Sequence, residues 1–253
     1  MLHSFIAFIL FSLIASSIYI FNDYMDIEED KKHPTKKHRP LSSGAISKKV
    51  AKVLFTSLSS ISLIISFLYN INLFYVLFIY FILNIAYSMK LKHISIIDIF
   101  IIATGFVLRL FAGSSVLNIE LSMWIIIMTF LLALFLALAK RRDDVLLSLQ
   151  GKETRKNIDG YNIEFVNASM VLMAGVIIVS YILYTVSSEV IEKFNTHNLY
   201  ISSVFIILGV VRYMQITFVE EKSGSPTKIV LKDKFLQIVI LFWLVSFFVI
   251  VRF

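Results

Sequence analysis

The sequence predicts an all-α integral membrane protein of about eight transmembrane helices, and three observations predict it. Hydrophobic residues make up 58% of the 253, above the roughly 45–50% apolar content usual in soluble domains. The excess is gathered in continuous blocks close to the roughly 20 residues that a helix needs to cross about 30 Å of hydrocarbon. The polar connections between these blocks are alternately rich and poor in lysine. Strands of a membrane barrel would instead alternate in runs of about ten residues.

In chain order the blocks are residues 2–21, 50–69, 73–89, 96–117, 121–139, 165–186, 199–218 and 235–251. The first has no basic lead-in and no convincing cleavage site, and it runs straight into a polar motif. It therefore reads as a retained helix and not as a signal peptide. The third is short and follows the second through the turn-like Asn70-Ile71-Asn72.

Four connections are basic. They hold Lys31, Lys32, Lys36, Lys37, Arg39, Lys48 and Lys49; then Lys90 and Lys92; then Lys140, Arg141, Arg142, Lys152, Arg155 and Lys156; then Lys222, Lys228, Lys232 and Lys234. The intervening connections carry only Lys193. The positive-inside rule places the basic connections in the cytoplasm and both termini outside, in a multi-pass protein of the cytoplasmic (inner) membrane. This bias accounts for the net charge of +7 without invoking nucleic acid. With no cysteine, disulfides and thiolate metal sites are excluded. No heptad, short repeat or low-complexity linker divides the chain, so one membrane domain over residues 1–253 is expected.

The first chemical motif is Asn22-Asp23-Tyr24-Met25-Asp26-Ile27-Glu28-Glu29-Asp30. Asp23, Asp26 and Asp30 are spaced i, i+3, i+7, so their carboxylates share one face if the first helix continues through them. A solvated helix end would also be acidic, but acids near a helix C-terminus oppose the macrodipole. A divalent cation turns their repulsion into coordination. Mg²⁺ takes oxygen ligands, often one or two carboxylates together with substrate phosphates. Asn22 adds a neutral oxygen or an amide donor. Beyond lies Lys31-Lys32-His33-Pro34-Thr35-Lys36-Lys37-His38-Arg39-Pro40-Leu41-Ser42-Ser43-Gly44, whose prolines interrupt helix. Its cations, Lys36 and Arg39 among them, suit a metal-bound anion, although any single lysine is also explained by topology.

A second constellation is Tyr87, Lys92, Asp98 and Arg109. Asp98 and Arg109 are 11 residues apart, about three turns, and point the same way with an axial gap of about 16 Å. That gap is too long for direct contact, and an intramembrane arginine is a functional candidate by default. A third is Lys140-Arg141-Arg142-Asp143-Asp144, with Asp159 later in what reads as the same loop. A basic stop after a helix explains the cations nearly as well, the two acids less well. His33, His38 and His93 lack metal-ligand spacing, and Arg212 either snorkels or lines a cavity.

Residues Asn22–Gly44 resemble the first Asp-rich motif of the UbiA superfamily of membrane prenyltransferases, NDxxDxxxD followed by HPxKxxRPxxSG. Tyr87-Ser88, Leu91-Lys92, Asp98, Gly105 to Arg109 and Lys140-Arg141 resemble its polyprenyl-phosphate (decaprenyl-phosphate) phosphoribosyltransferase branch. The resemblance covers nearly the whole chain. It implies a bundle of nine helices around a cavity open to cytoplasm and lipid. Here eight are counted, the first being absent with its basic lead-in, as in a misplaced start or a truncated member. It also implies Mg²⁺-dependent transfer of 5-phosphoribose from phosphoribosyl diphosphate to a polyprenyl phosphate, for cell-envelope polysaccharide. The second DxxxD motif of ordinary prenyltransferases has no clean counterpart, which favours the phosphoribosyl branch.

On that footing Asp23, Asp26 and Asp30 would hold Mg²⁺ on the diphosphate, and Lys36, Arg39, Lys140 and Arg141 would neutralise its charge. Tyr87, Lys92 and Arg109 would place the lipid phosphate or the ribose 5-phosphate, with Asn22, Asp98, Asp143 and Asp144 as further substrate contacts. A prenyl diphosphate donor with an aromatic or quinone acceptor, such as 4-hydroxybenzoate, would use the same first motif. A transporter with Asp98 and Arg109 on its pathway would leave the acidic motif without a purpose.

Overall fold

The computed structural model describes residues 2–32, 36–151, 160–222 and 224–252. Eight helices among the described residues are long and apolar enough to cross a membrane, one for each block of the sequence. In chain order the helices are α1 (Leu2–Met25), α2 (Ile27–Lys32), α3 (Lys48–Tyr69), α4 (Ile71–Met89), α5 (Ile97–Leu117), α6 (Met123–Leu149), α7 (Ile163–Val186), α8 (Ser188–Phe194), α9 (Ser203–Phe218), α10 (Pro226–Lys232) and α11 (Lys234–Arg252). The chain divides into two compact units, Met1–Ser122 and Met123–Phe253, a division that no linker in the sequence marks.

Short polar residues set the helix ends. Asn70 closes α3 and opens α4, accepting the Leu73 N–H at 2.9 Å. The connection is thus a single residue, tighter than the three-residue turn read from the sequence. Asn70 also donates to the Ser115 carbonyl at 3.3 Å, tying this corner to α5. Ser47 caps α3, and Asn162 caps α7 by accepting the Phe165 N–H at 2.7 Å. Each satisfies a backbone donor that the first turn leaves open.

In the first unit α1 packs against α3, α4 and α5. Leu10, Phe11, Ile14, Leu73, Leu77, Tyr80 and Ala112 form the core. The buried face of α3 is Ala51, Ser59, Ser62 and Ser66, and Ser62 donates to the Leu10 carbonyl at 2.8 Å. Small residues let helix backbones approach closely where lipid removes the hydrophobic drive for association. In the second unit α6 packs on α7, and α9 on α7 and α11. There Trp243 donates to the Tyr181 hydroxyl at 2.8 Å, which meets Ser202 at 2.8 Å. Large apolar side chains such as Leu68 and Phe248 stand exposed on both units, as lipid-facing surface does.

Two elements differ from the sequence reading. The first helix stops at Met25, and Asp26 forms a turn before α2 resumes. The block ending at residue 139 continues as helix to Leu149, so Lys140–Asp144 sits on a helix and not in a loop.

Candidate active site

The acidic face forms despite the break at Asp26. The Asp26 N–H bonds the Asn22 carbonyl at 3.0 Å and the Asp30 N–H bonds the Asp26 carbonyl at 2.8 Å. Helical i to i−4 pairing therefore persists through the junction and carries the i, i+3, i+7 spacing with it. Beneath, Ile27, Leu41 and Ala51 are buried together with Ile20, Tyr24 and Ile46 packed on them, which pins the loop to α1.

That loop brings Arg39 back over the acids. The Ser43 N–H bonds the Arg39 carbonyl at 2.8 Å and the Ile46 N–H bonds the Pro40 carbonyl at 3.0 Å. Gly44 turns the chain at φ +80, a conformation open to glycine at little cost. Arg39 Nη1 donates to Asp23 at 2.8 Å and to Asp30 at 2.9 Å. Asp30 is only 3% exposed, and a charge so buried is sustained by pairing.

Asp26 has a different partner. Lys92, 8% exposed in the 3₁₀ turn Leu91–His93, forms an ion pair with it, and Asn22 Nδ2 donates to its second oxygen at 3.1 Å. Asn22, Asp23, Asp26, Asp30, Arg39 and Lys92 are thus brought together. Lys36 opens the neighbouring 3₁₀ turn and acts electrostatically on Asp23.

The remaining first-unit candidates lie on α4 and α5. Asp98 is fully buried in the first turn of α5, where an acid complements the helix dipole. Just before it Ile96 adopts φ +72, ψ −51, a strained conformation for a β-branched residue. Tyr87 is half-buried near the end of α4. Arg109 lies over the rings of Phe106 and Phe11, at 4.8 and 5.6 Å, and beside Tyr80. Its cation is accommodated by aromatic faces.

In the second unit Arg141 is 1% exposed and donates to Asp144, one turn on, at 2.5 Å. Arg142, read in the sequence as one of the cations of the third constellation, is a strut. It donates to Asn167 at 2.9 Å and to the Thr217 carbonyl at 2.7 Å, with its guanidinium over Phe218. Asp143 lies against Gly224, and Lys140 is the first of this run on α6. Arg212, left open in the sequence, pairs with Asp233 at 2.6 Å and Glu220 at 3.0 Å. Asp159, His33 and Pro34 lie outside the described residues.

Among the described residues no three His, Cys, Asp or Glu side chains form a ready metal cage. The donors nevertheless fit Mg²⁺. They are hard oxygens, and those of Asp23 and Asp30 both lie within 2.9 Å of one positively charged group. Mg²⁺ seldom uses an all-protein cage and takes one or two carboxylates together with phosphates and water.

The sequence profile of the UbiA prenyltransferase family matches residues 2–222. This chain belongs to that family. Among its UbiA-family relatives, the decaprenyl-phosphate phosphoribosyltransferase of Mycolicibacterium smegmatis is 32% identical over 246 residues, covering 94% of this chain and 77% of the relative. The enzyme of the same name from Corynebacterium glutamicum is 32% identical over 243 residues, covering 94% and 72%. A UbiA homolog from Archaeoglobus fulgidus, solved bound to DMAPP and Mg²⁺, superposes with a TM-score of 0.71 at 18% identity, covering 99% of this chain and 88% of that one. The UbiA fold, the membrane location and the transferase class expected from the sequence are thereby borne out.

Proposed function

We propose that this UbiA-family transferase moves 5-phosphoribose from phosphoribosyl diphosphate to a polyprenyl phosphate, at the cytoplasmic face of the inner membrane, as one domain spanning both units. The observation that carries the reading is the acidic face of Asp23, Asp26 and Asp30, whose carboxylates are matched by Arg39 and Lys92. Such a site offers oxygens to a metal and cations to a phosphate side by side. The relatives named decaprenyl-phosphate phosphoribosyltransferase support the choice of donor and acceptor.

Asp23, Asp26 and Asp30 would hold Mg²⁺, which when bound neutralises charge on the donor's diphosphate. Arg39 and Lys92 then turn from the carboxylates to phosphate oxygens and, with Lys36, stabilise the charge that grows on the leaving group. The bond from ribose C1 to the diphosphate oxygen breaks, diphosphate departs with the electron pair, and an oxygen of the lipid phosphate bonds to C1. Asn22 keeps Asp26 oriented. Tyr87 and Arg109 are proposed to place the lipid phosphate or the ribose 5-phosphate, with buried Asp98 fixing the start of α5. Lys140 and Arg141 are proposed as further cations for the anionic substrates, and Asp143 and Asp144 as the acids that orient them.

A second reading has a specific support, the archaeal homolog bound to DMAPP and Mg²⁺. In it the donor is a prenyl diphosphate and the acceptor an aromatic or quinone. Family membership sets the transporter reading aside. The test is transfer of label from phosphoribosyl diphosphate to a polyprenyl phosphate pool in Mg²⁺, with the Asp23→Asn, Asp26→Asn double variant as control. Organic-phase label that falls by roughly a hundredfold or more in the variant supports the proposal. No label from folded wild type, with product from a prenyl diphosphate and an aromatic acceptor, overturns it in favour of the second reading.

A further inference from the structure

The second unit contains a cavity of about 490 Å³ at the C-terminal end of α9, bounded by the α9–α10 connection and by α10. Ile216 and Ile229, both buried, form its apolar floor. Its charged lining is Glu220, Lys222, Lys228, Lys232 and Asp233. Pro226 opens α10, its fixed φ suited to a first turn. Lys228 and Lys232 are then four residues apart on one face.

The acids of this lining are already engaged. Arg212 Nη2 lies 3.0 Å from Glu220 and 2.6 Å from Asp233. Asp233 also accepts the Leu236 N–H at 2.8 Å, capping α11, and Glu220 takes Lys222 at 3.2 Å. With Arg212 included, four cations face two carboxylates. Among the described residues Lys228 and Lys232 have no carboxylate partner. Two unpaired ammonium groups one turn apart, over a concave floor, are a phosphate-binding arrangement.

The cavity wall is built onto the α6 segment. A Cβ on Gly224 would come within 2.9 Å of Asp143 Cγ, so the connection lies directly against the carboxylate end of this α6 side chain. We infer that this cavity is a phosphate subsite, in which Lys228 and Lys232, assisted by Lys222, hold a phosphomonoester. The inference rests on the proposed function, which involves two phosphomonoesters, the 5-phosphate of the sugar donor and the monophosphate of the lipid acceptor. The Asp-rich face accounts for the diphosphate, and Tyr87 with Arg109 for one of these two esters, which leaves the other without a site.

The test measures equilibrium binding of inorganic phosphate, ribose 5-phosphate and a short-chain isoprenyl monophosphate to the full chain in detergent. The variants are Lys228→Gln/Lys232→Gln and a control, Lys48→Gln/Lys49→Gln, which removes two exposed lysines at the start of α3. The expected result is a loss of roughly tenfold or more for inorganic phosphate and one ester in the first variant, with none in the control. The ester affected identifies the source of the phosphate. Wild type that binds no probe, binding unchanged in the first variant, or an equal loss in both variants overturns the subsite. Transfer activity is assayed in parallel. Binding lost in the first variant while wild type transfers no phosphoribose keeps the subsite and removes the proposed reaction. Transfer with unchanged binding removes the subsite alone.

Discussion

Arg39 Nη1 bridges Asp23 and Asp30, at 2.8 and 2.9 Å. One side-chain cation therefore stands between two carboxylates assigned to a metal, and metal and arginine compete for the same oxygens. Arg39→Gln should move two affinities in opposite directions. Mn²⁺, used as a spectroscopic probe for Mg²⁺, should bind several-fold more tightly without donor, because its competitor is gone. The diphosphate donor should bind roughly tenfold more weakly, because a charge-assisted contact is lost. Paramagnetic resonance and titration calorimetry read the two separately. A fall in both would make Arg39 a structural residue only.

The Lys92–Asp26 pair answers to a different measurement. Lys92 is buried and Asp26 largely so, and removing one partner of a buried pair leaves an uncompensated charge costing about 3–5 kcal/mol. Lys92→Met should lower the thermal unfolding midpoint in detergent, and millimolar Mg²⁺ should restore part of the loss by giving Asp26 another cation. A midpoint unchanged in the variant would show that the pair contributes nothing to stability.

Legibility in the sequence followed the range of the interactions. The eight spans were readable because length and hydropathy are local, and the Asp face because spacing alone puts Asp23, Asp26 and Asp30 in line. The extension of α6 to Leu149 was not. Hydropathy ends where charge begins, but helix does not, and Arg141 and Asp144 pair along it. The partners of the acids were also hidden. Arg39 reaches Asp23 and Asp30 through a loop path set by Pro40 and Gly44, which periodicity does not encode. Arg212 was undecidable for the same reason, since Asp233 lies 21 residues further on.

Ile96 stores strain beside the buried Asp98. Its φ of +72 costs a side-chain-bearing residue roughly 1–2 kcal/mol, and glycine would recover this less about 0.5–1 kcal/mol of its own entropy. Ile96 is 47% exposed, so little packing is lost. Ile96→Gly should stabilise the protein by about 1 kcal/mol or less while lowering turnover, because the Lys92 turn and Asp98 lose a rigid junction. Thermal unfolding and initial rates check this together. Lower stability would mean that the Ile96 side chain contributes more than the strain costs.

Gly224 and Asp143 should behave as a coupled pair. Gly224→Ala places a methyl within 2.9 Å of Asp143 Cγ, so the carboxylate must swing away from its present contacts. The expected cost is about 1 kcal/mol, the low end for overpacked sites, because only the carboxylate end of Asp143 has to give. Adding Asp143→Ala should recover part of it, giving a coupling energy in a double-mutant cycle of thermal unfolding. Strictly additive effects would separate the α9–α10 connection from α6.

Asp233, outside the spans, gives a pH dependence of definite sign. Hydrogen bonds from Arg212, seconded by the Leu236 N–H, hold its carboxyl below the ordinary value of 3.8, against a smaller opposing effect of burial. A depressed folded pKa means that the unfolded chain takes up the proton first. The contribution to stability is thus complete above the unfolded value of about 3.9 and is lost as pH falls through the lower folded value. Asp233→Asn should be less stable than wild type by a constant margin from pH 5 to 8. Below about pH 4 the margin should shrink, since the wild-type carboxyl becomes neutral as the amide already is. Unfolding midpoints of the two proteins across that range decide it. A margin that persists undiminished at the acid end would remove the Arg212 ion pair as its source, because the asparagine oxygen accepts the Leu236 N–H just as the neutral carboxyl does.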